Sequence, residues 1–143
     1  MKQFSLFILW AFVFLGCEDT KQKKTEEKPK YDLYELSEMA ELMEYMYKFN
    51  QELRQEVIKD SITKKFPQKF LEIHSAELTS TFNRDATFES FSQLFLNAEK
   101  EIFNSSSQIA LKDRYNNMVN LCISCHQTSC TGPIPRIKKL LIP

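Results

Sequence analysis

Glycine is almost missing from this chain: among 143 residues only Gly16 and Gly132 are glycine. Folds built on many tight turns need residues that accept a positive φ, so the shortage argues against a strand-rich architecture. An excess of one charge is missing as well. Lysine plus arginine and aspartate plus glutamate each number 19, which leaves no basic field to draw nucleic acid. There is no internal repeat, and no grouping of acid, base and nucleophile that would mark the chain as an enzyme.

What is present is helix-forming. Glu, Lys, Gln, Leu and Met are abundant, and all of them lose little freedom in a helix. The length suits one domain with a single core. Twelve phenylalanines and five tyrosines supply aromatic bulk for that core and for the lining of a pocket.

Residues 1–16 read as a targeting segment. Lys2 is a thin positive start, and Phe4 to Leu15 is an apolar run broken only by Ser5, too short for a permanent bilayer span and suited to a signal peptide. It ends in Phe14-Leu15-Gly16-Cys17, which resembles the lipobox of bacterial lipoproteins, with Cys17 as the lipidated mature N-terminus. Phe14 stands where that pattern has leucine. The alternative is an ordinary signal peptide cut nearby, with Cys17 left as a plain thiol. Residues 17–30 carry mixed charge and nothing that can enter a core after Cys17, so they are expected to be a disordered tether. The expected location is the periplasmic side of the cell envelope, lipid-anchored to a membrane, with residues 31–143 as the folded domain.

Within that domain, Leu33, Leu36, Met39, Ala40, Met43, Met46, Tyr47, Leu53 and Val57 recur at spacings of three and four, predicting one long amphipathic helix over Tyr31 to Lys59. Pro67 bars a continuous helix through 61–81, where Phe66, Phe70, Leu71 and Ile73 support a short docked one. Asn83 or Asp85 can cap the next helix, marked by Phe88, Phe91, Leu94, Phe95, Ala98 and Ile102. After the serines 105–107, the residues Ile109, Leu111, Tyr115, Met118, Val119, Leu121 and Cys122 describe the last helix. Gly132, Pro133 and Pro135 then predict an irregular tail. The expected architecture is all-α, a small up-and-down helical bundle.

Cys122-Ile123-Ser124-Cys125-His126 is the motif that carries chemistry. Cysteines three apart on a helix face the same side, so both sulfurs can bond the vinyl groups of one porphyrin while His126 ligates its iron. The expected cofactor is a single covalent haem c. Three other readings stay open. A disulfide oxidoreductase places such a pair at a helix N-terminus, whereas this one closes a helix. A zinc site would recruit Cys122, Cys125, His126 and Cys130. A disulfide between Cys122 and Cys125 would be strained in a helix.

A Cys-x-x-Cys-His motif at the end of the last helix of a helical bundle resembles the cytochrome c-prime group, including its methionine-ligated relatives, over about residues 31–128. Residues Ser37 to Tyr47 and Tyr115 to Leu140 are also similar to uncharacterised bacterial cytochrome-c-like lipoproteins. The resemblance implies that the first helix faces the distal side of the haem. It maps the distal position to Met43, with Met46 one turn on, and a thioether there suits electron transfer. The competing reading of Met39, Met43 and Met46 is core filling. His74 is a further candidate for the sixth ligand.

The expected activity is therefore single-electron transfer between envelope partners. Its rivals are a gas-binding or sensing haem protein with an open distal site, and a haem-free lipoprotein with a zinc or thiol site. A homodimer is an open alternative to a monomer. Cys130 is an odd thiol, expected to be buried. Arg136, Lys138 and Lys139 are cations suited to haem propionates or to an acidic partner. An exposed slot between the first and last helices, lined by Cys122, Cys125 and His126, is the geometry this reading requires.

Overall fold

The computed structural model describes residues 35–143. The signal segment, Cys17, the tether and the expected helix start at Tyr31 lie outside the described residues. Those described form an all-α bundle with no strand among them, and none of their helices is long and apolar enough to cross a membrane.

Helix α1 spans Glu38–Ile58. It begins where Ser37 turns extended and its hydroxyl accepts the Ala40 N–H, with Glu38 and Glu41 in the first turn favouring the positive end of the helix dipole. Leu36 therefore precedes the helix and is exposed. Met39, Leu42, Met46, Asn50, Leu53 and Val57 form its buried stripe. The helix stops at Asp60, which has φ 51° and is the only positive-φ residue among those described. Ser61 N–H bonds back to Glu56 O and Asp60 N–H to Val57 O, so an aspartate serves the terminating position that glycine usually fills.

The short docked helix expected over 61–81 is present as a 3₁₀ segment over Gln68–His74. Pro67 sits at its start with extended geometry, and its carbonyl accepts the Phe70 N–H at 3.0 Å. Its Phe70 is wholly buried, edge-on to Phe49 at 5.3 Å and to Tyr45 at 5.9 Å between ring centroids. Burying such a ring is worth about 1.5–3 kcal/mol, enough to dock a segment with little regular structure.

Helix α2 spans Ala86–Ile102, and Asp85 is its cap, accepting the Phe88 N–H at 2.8 Å. Its buried face is rotated from the expected stripe, because Leu94 is exposed while Ser92 and Glu99 are buried. Arg114 closes its far end by donating through Nη1 to the carbonyls of Glu101, Ile102 and Asn104. Helix α3 spans Leu111–Ser129 and packs most closely on α2, burying Tyr115, Met118, Val119 and Ile123. Ile109 lies before it and is exposed.

The tail is more regular than its prolines predict. It forms α4 over Ile134–Ile137 and a 3₁₀ turn over Lys138–Leu140, because a proline is tolerated in a first helical turn, where its missing N–H has no partner to lose. Ile137 and Leu140 are buried. Arg54 donates to the carbonyls of Leu140 and Leu141, and the Asn116 amide bonds Ile142 in both directions. The tail is thus strapped to both α1 and α3.

Candidate functional site

Along α3, residues 122, 125 and 126 stand at i, i+3 and i+4, so one helix face carries both thiols and the imidazole. The helix continues three residues past His126 to Ser129, and Cys130 ends it with its N–H bonded to the His126 carbonyl at 3.1 Å. The bond is returned: His126 Nδ1 lies 2.9 Å from the Cys130 carbonyl oxygen. A carbonyl can only accept, so Nδ1 carries the hydrogen and Nε2 keeps its lone pair. This is how proteins fix an imidazole that ligates a metal through its other nitrogen.

The face opens onto a cavity of about 520 Å³, within the range of roughly 300–1,000 Å³ usual for cofactor sites. Met39, Met43 and Met46 of α1 line it together with Cys122, Cys125 and His126 of α3. Leu78 and Phe82 from the loop before α2, Phe88 and Phe95 from α2, and Pro133 and Ile137 from the tail complete an apolar wall. The slot expected between the first and last helices is present, with the tail as an additional side.

Three cysteines of the described region are free thiols, so Cys122 and Cys125 do not form a disulfide. Burial pushes both thiols above the usual thiol range, aided at Cys122 by the nearby Glu99 and at Cys125 by Asp85. A redox-active pair needs the opposite shift, toward thiolate. Among the described residues no three His, Cys, Asp or Glu side chains are grouped so as to hold a metal ion.

The remaining candidates separate. Met46 is buried in the core and also touches the cavity, whereas Met43 is half-buried and faces it. His74 is not on the cavity wall. Its Nδ1 lies 3.4 Å from both Glu89 Oε2 and Ser92 Oγ, which ties the 3₁₀ segment to α2. Cys130 is half-buried on the cavity wall rather than fully buried, and its backbone carbonyl is the part with a visible task.

Two groups carry no readable signal in the sequence. The Cys130 carbonyl is a backbone atom, and any residue type would supply it. Glu99 lies in an otherwise helical apolar stripe and is 0% exposed. Neither carboxyl oxygen has a hydrogen-bond partner, since Asn50 approaches without reaching bonding geometry. Burial raises its pKa to about 8, so near neutrality it is held as the uncharged acid.

No family model, curated protein or solved structure matches the chain.

Proposed function

We propose that this chain is a monohaem c-type cytochrome of the cell envelope, a single-electron carrier resembling the cytochrome c-prime group. In this reading haem c is attached through Cys122 and Cys125, with His126 as axial ligand. One observation carries the proposal: His126 is oriented by the Cys130 carbonyl, leaving Nε2 available, on the same helix face as two un-ionised thiols that open onto an apolar cavity. The donor set fits the group, because thioether attachment uses thiols and haem iron takes a neutral imidazole.

A bound haem would supply reversible one-electron chemistry at its iron. The chain's own residues do the rest. Cys122 and Cys125 would hold the group, and the Cys130 carbonyl strengthens His126 as a donor by accepting its Nδ1–H. Met39, Met46, Phe88 and Phe95 on the cavity wall would exclude water from it, and low polarity around an iron centre is one of the protein's means of setting its potential. Of the thioethers on the wall, Met43 would be the one free to serve as a second ligand, since Met46 is committed to the core. Cys17, lipidated after removal of residues 1–16, and the tether over 17–30 would hold this domain at a membrane surface beside its redox partners.

The full chain, expressed in a host that matures c-type cytochromes, tests the proposal. Haem staining should survive denaturing electrophoresis in the wild type and vanish in the Cys122→Ala/Cys125→Ala double variant. A methionine-to-iron charge-transfer band is expected in the ferric spectrum. A high-spin spectrum that responds to carbon monoxide would replace electron transfer by gas binding, and a colourless wild type would overturn the haem reading altogether.

A further inference from the structure

Among the described residues, two acidic, lysine or arginine side chains line the cavity, Glu44 of α1 and Arg136 of α4. The guanidinium carbon of Arg136 lies 3.9 Å from the ring centroid of Tyr47, which also lines the cavity. The edge of the same guanidinium meets Glu44 in a two-pronged pair, with Nη1 on Oε1 and Nη2 on Oε2 at 2.9 Å. The side chains remain 44% and 42% exposed, so this is the wetted rim of a site whose other described walls carry no acidic, lysine or arginine side chain. Lys138 and Lys139 follow on the same tail but are not on the wall.

We propose that Arg136 is the binding residue for the carboxylate edge of the porphyrin, and that the porphyrin carboxylate takes over the guanidinium now held by Glu44. The inference rests on the haem reading above. A porphyrin with propionate groups brings anions to a cavity whose described wall offers one guanidinium, at the rim where carboxylates would be drawn to water and cation together. A guanidinium matches a carboxylate through parallel N–H donors, which a lysine cannot do. Stacking on Tyr47 fixes the plane of that fork before a ligand arrives, so little ordering is left to do. Glu44 is a replaceable occupant. It offers the same carboxylate geometry from an exposed position, and an exposed ion pair of this kind contributes little that rotation into water would forfeit.

The test uses the full chain matured with haem, with resonance Raman spectra of the propionate bending modes and the midpoint potential as readouts. Haem staining of the wild type comes first, because a negative result there defeats the haem reading itself and the inference with it. In stained protein, Arg136→Gln should shift the propionate modes and lower the potential, since a cation beside the porphyrin carboxylates favours the ferrous form. Arg136→Lys should give a smaller shift in the same modes. Lys138→Gln and Lys139→Gln should leave them unchanged. If Arg136→Gln does not fold, Arg136→Lys serves instead: it keeps a cation but loses the fork, so the modes should shift while haem stays attached. Haem-loaded Arg136→Gln or Arg136→Lys protein with wild-type propionate modes would overturn the inference, as would equal shifts in Lys138→Gln and Lys139→Gln.

Discussion

The hydroxyl of Tyr115 on α3 donates to the backbone carbonyl of Asn50 on α1 across 2.8 Å, in the interior of the bundle. The tyrosine is wholly buried, and burial, with Glu99 nearby, pushes its phenol far above the usual range, so it acts only as a neutral donor. Asn50 lies mid-helix, where its carbonyl also serves the N–H one turn on. Tyr115→Phe therefore strands no buried acceptor. It should cost about 1 kcal/mol, the net value of an ordinary internal hydrogen bond, read as a lower urea midpoint with an unchanged slope.

Glu99 should make the chain less stable in alkali. Its pKa in the fold, about 8, lies above the 4.5 of an ordinary glutamate, so between those values the folded state holds a proton that the unfolded state has released. The associated stability is complete below the ordinary carboxyl range and is lost as pH rises through about 8, at up to about 1.4 kcal/mol per pH unit. Denaturation curves across that window should show the decline in the wild type and a flat profile in Glu99→Gln. A decline that survives the substitution would assign it to another group.

Met46 and Met43 should behave differently although one turn separates them. Met46 is 6% exposed and packed within the core, so Met46→Ala should cost about 2–4 kcal/mol by thermal or chemical denaturation. Met43 is only partly buried, and Met43→Ala should cost less than half as much. In haem-loaded protein, however, the ferric charge-transfer band should disappear with Met43→Ala and persist in Met46→Leu, which keeps the core filled.

Arg54 holds the tail against α1 through Nε to Leu140 O at 3.0 Å and Nη2 to Leu141 O at 3.2 Å. Arg54→Ala should loosen the last residues before it loosens the bundle. Limited proteolysis should clip the tail of the variant faster than that of the wild type, with a global loss of about 1–3 kcal/mol because charged hydrogen bonds are removed. If the tail is cut at the wild-type rate, its buried Ile137 and Leu140 and the Asn116–Ile142 bonds hold it without Arg54.

The periodic parts of the chain were legible and the aperiodic parts were not. α1 and α3 follow from three- and four-residue spacing, and their caps correct the ends: Ser37, rather than Tyr31, is where a side-chain oxygen can accept the first free N–H. The Cys122, Cys125 and His126 face was readable because helix geometry alone places those spacings together. The rotation of α2 was not, since Phe, Leu and Ala occur on several of its faces and only packing on α3 selects which are covered. The short docked helix of 61–81 was legible from its apolar residues, but its 3₁₀ form was not, because Phe70 docks through ring contacts that need no α-helical turn. Arg136 was visible as a cation, but its neighbours Glu44 and Tyr47 lie some ninety residues earlier, and no local pattern connects positions so distant.

The cavity takes one side from Met39 and another from Leu140, nearly opposite extremes of the described sequence. Cys122 and Cys125 sit on α3, whereas Pro133, Ile137 and Leu140 of that wall belong to the tail. Opening of the tail alone would therefore uncover both sulfurs while the three long helices stay folded, so the rate at which a thiol reagent labels them is a gauge of local unfolding at one end of the molecule.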